Sequence, residues 1–243
     1  RRCCLSEEMG RAGACIFWKV GAGLVAAVSL VFLGSLGGLG TGAGGVRGGP
    51  HGGGKVKKTA DAGVDVVKLI DQDQMTLDEI NAVVQEAHAR GKPVVAHSHR
   101  PEEIRRGLAA GVDCFEHTGL AMAPEYPEDV MAMIRERTAK MSLGPLYWTP
   151  TIEGLLNYEY LRDNPEALDD PAWQEGLPPA VVADIRKSLE HVDRLPYFQL
   201  TAARRPTLAR KFKQLREAGV VQLIATDSGI PMNFHSHSTW REL

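Results

Sequence analysis

The 243-residue chain lacks several signatures that would assign a function at once. Its four cysteines, Cys3, Cys4, Cys15 and Cys114, contain no CxxC pair and no even framework. A disulfide scaffold is therefore not expected; a reducing compartment is, with Cys114 as a plain buried thiol. No sign of charge dominates either. A formal net charge of −2 gives no global pull toward nucleic acid or an anionic membrane. The cluster Lys55, Lys57, Lys58 is short enough to be a solvated helix start. No GxGxxG follows the first regular strand, which argues against a dinucleotide fold. An initiating methionine is missing, and the chain stops at Glu242-Leu243 as a helix begins, so a fragment of a longer protein is expected.

Residues 1–54 stand apart, holding 16 of the 26 glycines. Val20–Leu39 is an uncharged, mostly apolar run of 20 residues, diluted by five glycines and followed by GSLGGLGTGAGGVRGGPHGGG. Its length suits a membrane anchor or a signal segment, but no clear cleavage site follows it. A cytoplasmic location is the expectation, with anchoring or export as the alternative this run leaves open. Glycine this dense costs backbone entropy, so regular structure is not expected here.

From residue 55 to 243 the pattern becomes regular. VDVVKLI (64–70) reads as a buried strand, continuous and β-branched. Thr76-Leu77-Asp78-Glu79 forms a capping box, and Leu77, Ile80, Val83, Val84 and Ala87 then make one helical stripe ending at Gly91. PVVAH (93–97) is the next strand, and a helix from Pro101 carries Ile104 and Leu108 to Gly111. VDCFEH (112–117), a helix over 127–140, and PLYWTPT (145–151) continue the alternation. A charged, proline-punctuated insertion over 152–219 holds helices near 178–195 and 204–218, and VVQLIATDSG (220–229) is the last strand. Repeated βα units with short connections predict a parallel sheet, either doubly wound or part of a (β/α)8 barrel.

Lys68, His97, His117, Thr149, Thr151 and Asp227 lie at or near the carboxyl ends of these strands. In a barrel those ends open on one face, where connecting loops build the active site. Two imidazoles, a carboxylate and a lysine suit a zinc-like divalent ion in a hydrolase. A lone strand-end histidine is usually a hydrogen-bonded structural residue; two on successive strands, with Asp227 ending a third, make ligation the stronger reading. Lys68 lies inside an apolar strand, where an ammonium is costly unless paired, modified or shifted in pKa. Asp65 and Asp113 read instead as loop residues at the opposite end.

VDVVKLI, VVAHSHRPEEIRRGLAAGVDCFEHTG, WTPT and LIATDSG together resemble the amidohydrolase superfamily, in its imidazolonepropionase- and prolidase-like branch. The resemblance runs from about Gly49 to Leu243 and implies strands four to eight of a (β/α)8 barrel, with the helical insertion between strands seven and eight. It implies that Lys68 is a carboxylated, metal-bridging lysine. It further implies that His97 and His117 ligate one metal, and that Asp227 touches the other and shuttles protons. The implied activity is hydrolysis of a C–N bond in an amide, cyclic amide or dipeptide by a metal-bound hydroxide. One or two divalent ions would serve, zinc first among them.

His99, His235 and Tyr147 are expected to contact substrate, with His99 also placed to support the ligands. The family's strand-one HxH has no counterpart before residue 97. HSH (97–99) follows the lysine strand and so belongs to strand five. The barrel is thus expected to be incomplete, completed by further sequence or by a second chain, or else inactive. A homo-oligomer is one form that completion could take. The alternative reading is a Schiff-base lyase barrel with Lys68 as the imine-forming amine. It leaves the two histidines and Asp227 without a shared task.

Overall fold

The computed structural model describes residues 30–34, 56–57, 60–61, 63–118, 123–191, 194, 196–227 and 242. Among them are six strands: β1 (Leu30–Gly34), β2 (Val66–Ile70), β3 (Val94–His97), β4 (Cys114–Glu116), β5 (Tyr147–Thr149) and β6 (Val221–Gln222). The α-helices are α1 (Leu77–His88), α2 (Pro101–Ala110), α3 (Glu128–Ala139), α4 (Glu153–Asp163), α5 (Pro179–Leu189), α6 (Pro196–Arg204) and α7 (Leu208–Glu217).

The six strands share one sheet in chain order, β1 to β6. The pairs β1/β2, β2/β3 and β5/β6 are parallel. A doubly wound sheet reverses its strand order at a switch point, whereas a sheet whose strands add one after another has the order of a barrel. Of the two topologies the sequence allows, the structure therefore has the barrel type.

Chain contacts divide the protein into two compact units, Arg1–His97 with Glu102–Phe115, and Ser98–Pro101 with Glu116–Leu243. The first holds β1 to β3, α1, α2 and the start of β4. Val66, Val67, Lys68 and Leu69 of β2 are all buried, which is why this strand reads as an unbroken apolar run around one lysine. The capping box of α1 is present: Thr76 Oγ1 accepts from the Glu79 backbone N–H, and the Glu79 carboxylate accepts from that of Thr76. Asp113 accepts from the Val94 N–H at 2.7 Å and contacts His88 Nε2 at 2.8 Å. From the loop between α2 and β4, where the sequence puts it, it thus fastens the start of β3. Cys114 is a buried free thiol.

The second unit contains α3 to α7, β5, β6 and the insertion. Helix α4, which the sequence reading passed over, carries Tyr158 and Leu161 into a small core with Leu208 of α7. The insertion thus has an apolar centre of its own. Segment 220–229 was expected to be a strand throughout, yet among its described residues, 220–227, only Val221–Gln222 pairs as one, and 228–229 lie outside the described residues. Val221, Leu223 and Ile224 are at least 40% exposed, so little burial rewards further extension. The apolar run at 20–39 contains β1, a strand where no regular structure was expected. Among the described residues no helix is long and apolar enough to cross a membrane.

Left-handed backbone is distributed asymmetrically. Gly63, Gly91, Gly111, Gly144 and Gly219 have positive φ and lie two or three residues before β2, β3, β4, β5 and β6 respectively. The described non-glycine residues with positive φ are Asp71, His117, Thr151 and Asp227, and each follows the carboxyl end of a strand. At Gly111 the φ of +85° closes α2, whose last carbonyls at Gly107 and Leu108 accept the turn's N–H groups.

Two stability predictions follow from this packing. A Cβ at Gly107 of α2 would lie 2.7 Å from the fully buried Phe115 ring. Gly107→Ala should cost about 1–3 kcal/mol in chemical denaturation despite alanine's higher helix propensity. Lys211 of α7 is 1% exposed, with Nζ 5.9 Å from the Tyr126 ring centroid. Desolvation, reinforced by the Arg204 charge, lowers its pKa from 10.5 to about 8. Between those two values the unfolded chain binds more protons, so this lysine makes stability rise with pH. Burial raises the Tyr126 pKa, which acts in the opposite sense above its ordinary 10.0. Between pH 8 and 10, Lys211→Met should flatten the stability-versus-pH slope relative to wild type.

Candidate metal centre

Lys68 occupies the middle of β2 and is 3% exposed. Its register partner in β3 is Val95, so the next residue of β3 on the same sheet face is His97. Lys68 and His97 thus share a face, with the histidine one pleat repeat nearer the carboxyl end. Gln72, just after β2 and fully buried, donates from Nε2 to the His97 carbonyl and, at 3.3 Å, to that of Glu103. This amide pins the end of β3, a role that nothing in its sequence context signals.

His117 follows β4 with φ +71°, in a conformation uncommon for a non-glycine residue. Four contacts hold it there. Its N–H donates to the Thr149 carbonyl at 2.8 Å. Its own carbonyl accepts from Trp148 Nε1 at 2.7 Å and from Ser98 Oγ at 2.8 Å. Its Nδ1 meets Thr151 Oγ1 at 2.7 Å. On the other side of the ring, Nε2 lies 3.7 Å from a Glu116 carboxylate oxygen. Thr151 also carries positive φ, +51°, which for a β-branched residue is a true outlier costing on the order of 1–3 kcal/mol. Such backbone persists only where surrounding bonds enforce it, and it clusters at functional sites.

His99 stacks on His117 with ring centroids 4.7 Å apart and 23° between planes. Within the first unit, Asp71, Asp73 and Glu103 each offer a ligand atom, all within 4.8 Å of one another, and within the second His99 and His117 stand together. The nitrogen set fits a borderline ion of the zinc type, and the all-oxygen set a harder cation. His99, assigned to substrate or support from the sequence, thus lies beside the expected donor His117.

The remaining expected residues are placed as follows. Asp227 is exposed with φ +52°, five residues beyond β6. Tyr147 is half-buried at the first residue of β5, with Thr149 at that strand's carboxyl end. His235 lies outside the described residues. Residues given no task by the sequence, Gln72, Ser98 and Trp148, supply the hydrogen bonds that fix the backbone of the two histidines. Thr151 was legible only as a polar residue near a strand end.

No protein-family model and no curated relative matches the sequence. Solved structures do resemble the fold. A Xaa-Pro dipeptidase with methionine bound in its active site matches at 21% identity and a TM-score of 0.50, over 81% of this chain and 42% of that one. Ochratoxinase from A. niger matches at 18% identity and a TM-score of 0.51, over 81% of this chain and 38% of that one. The chain thus spans about two-fifths of the length of these structures. At such identities the likeness establishes the fold, an α/β arrangement of barrel type, and the activity has to be argued from the residues.

Direct metal titration checks the site. Zinc binding followed by isothermal calorimetry should weaken on the order of 100-fold in His97→Ala and in His117→Ala, at least the loss typical of disturbing an outer-shell partner. Asp73→Asn should leave zinc affinity within about threefold, because its oxygen set suits a different ion.

Proposed function

We propose that the chain carries part of the active site of a metal-dependent hydrolase of the amidohydrolase superfamily, acting on C–N bonds in dipeptides, amides or cyclic amides. The observation that carries this reading is the buried Lys68 on the same sheet face as His97, with His97 and His117 at the ends of successive strands. The likeness in fold to a Xaa-Pro dipeptidase supports it.

A divalent cation, when bound, supplies Lewis-acid polarisation of a carbonyl and lowers the pKa of a water to near neutrality. Lys68, His97 and His117 would hold it, with His99 stacked beside His117. A lysine ammonium has no lone pair to offer a metal, so the proposal includes carboxylation of Lys68 by carbon dioxide, which makes it an anionic oxygen ligand. Asp227 would take the proton of the attacking water and return it to the leaving nitrogen. His235 and Tyr147 would contact the substrate, and the 152–219 insertion would shape access to the site.

The test is hydrolysis of Xaa-Pro dipeptides and N-acyl amino acids by zinc-loaded protein. Activity should vanish with a chelator, return with zinc, and rise with added bicarbonate. Lys68→Ala should lower kcat/KM by on the order of 1,000-fold. Absence of turnover in protein shown to hold zinc would refute the hydrolase reading. Trapping of a carbonyl substrate on Lys68 by borohydride would favour the Schiff-base lyase instead.

A further inference from the structure

We infer that Thr151 is a positioning residue that fixes the tautomer of His117, so that Nε2 and not Nδ1 faces an incoming cation. This deepens the proposed metal site and rests on it.

The geometry that carries the inference lies around one ring. Thr151 Oγ1 is 2.7 Å from His117 Nδ1, whereas the Glu116 carboxylate is 3.7 Å from Nε2. A hydroxyl can accept from Nδ1–H or donate to a bare Nδ1, and these alternatives correspond to opposite tautomers of a neutral imidazole. Only the first leaves the Nε2 lone pair open to a metal. A ligating histidine commonly donates its other N–H to an oxygen that fixes the ring, and disturbing that partner weakens binding.

Independent features of the backbone point the same way. Both partners of this bond have positive φ, +71° at His117 and +51° at Thr151. Ser98 and Trp148 brace the His117 carbonyl, and Thr149 holds its N–H. Thr118, buried next to His117, donates from Oγ1 to the Pro150 carbonyl at 3.1 Å, tying the two turns together one residue away. Two strained turns at adjacent strand ends are thus clasped so that one ring nitrogen meets one hydroxyl. Threonine is a poor choice for this backbone, because its branched Cβ opposes positive φ. A hydroxyl at this point is the feature it contributes.

The test compares wild type, Thr151→Val and Thr151→Ser. Valine keeps the branched shape and the backbone strain while removing the hydroxyl; serine restores the hydroxyl. Long-range proton–nitrogen correlation spectra of the metal-free protein, at one fixed pH where the ring is neutral, report the tautomer directly. Zinc affinity is read in parallel by competition with a chromophoric chelator. The expected results are Nδ1–H at His117 in wild type and Thr151→Ser, with a shift toward Nε2–H in Thr151→Val. Zinc affinity in the valine variant should fall about 10–100-fold, with recovery in serine.

Finding Nε2–H in the wild-type protein would overturn the inference even if the valine variant failed to fold. So would unchanged zinc affinity in a folded Thr151→Val protein whose tautomer had shifted. If wild type shows Nδ1–H, lost in the valine variant, yet takes up no zinc, the tautomer assignment stands and the metal reading fails.

Discussion

Parallel pairing has a direction, and the candidate site depends on it. Where β2 and β3 run side by side in the register Lys68–Val95, period-two alternation alone decides that Lys68 and His97 share a face. A slip of one residue would turn His97 to the other face and leave the lysine among aliphatic side chains. Burial of Val94 and Ala96 beside Val67 and Leu69 on the second face guards against that slip, since moving β3 by one residue would turn both of its apolar side chains off that face. The chemistry on one side of the sheet is thus held in phase by hydrophobic packing on the other.

The two ends of the strands solve their turns differently. Before the strands, left-handed positions are filled by glycine, which adopts them without steric cost and ends each helix cleanly. After them come aspartate, histidine and threonine in the same region. Asp71 and Asp227 tolerate it, because a short polar side chain can bond locally, and histidine is also found there, but the β-branched Thr151 is opposed by its own side chain. This matches the division of labour in barrels, where the amino-terminal face serves stability and the carboxyl-terminal face serves function. The strained pair at β4 and β5 is sustained by hydrogen bonds from Ser98, Trp148 and the strand backbone.

Most of the fold was legible because its determinants are local. VDVVKLI announced a strand buried on both faces, Thr76 and Glu79 announced a helix start, and the glycines announced the helix ends. Helix α4 escaped notice because its burial comes from Tyr158 and Leu161 meeting Leu208, which lies 47 residues beyond Leu161. Strand β6 was overextended because an apolar run reads the same whether or not a neighbour covers it. At the candidate site, the sequence offers His97 and His117 as strand-end residues and Lys68 as a charge inside an apolar strand, and the structure puts them in those positions. Gln72, Ser98 and Trp148 were not legible, since each acts by bonding the backbone of a residue distant in sequence, and backbone acceptors leave no mark on side-chain identity.

Trp148 has a consequence of a different kind. Its indole N–H is committed to the carbonyl of His117, while its ring lies fully buried at 5.6 Å from Tyr126. An indole in that situation is an optical reporter built into the molecule. Its emission depends on a hydrogen bond that ends on the very peptide unit carrying the ligand candidate. Any event that shifts this peptide alters the fluorophore's surroundings, and the excited state registers it without a label, a substrate or a coupled reaction.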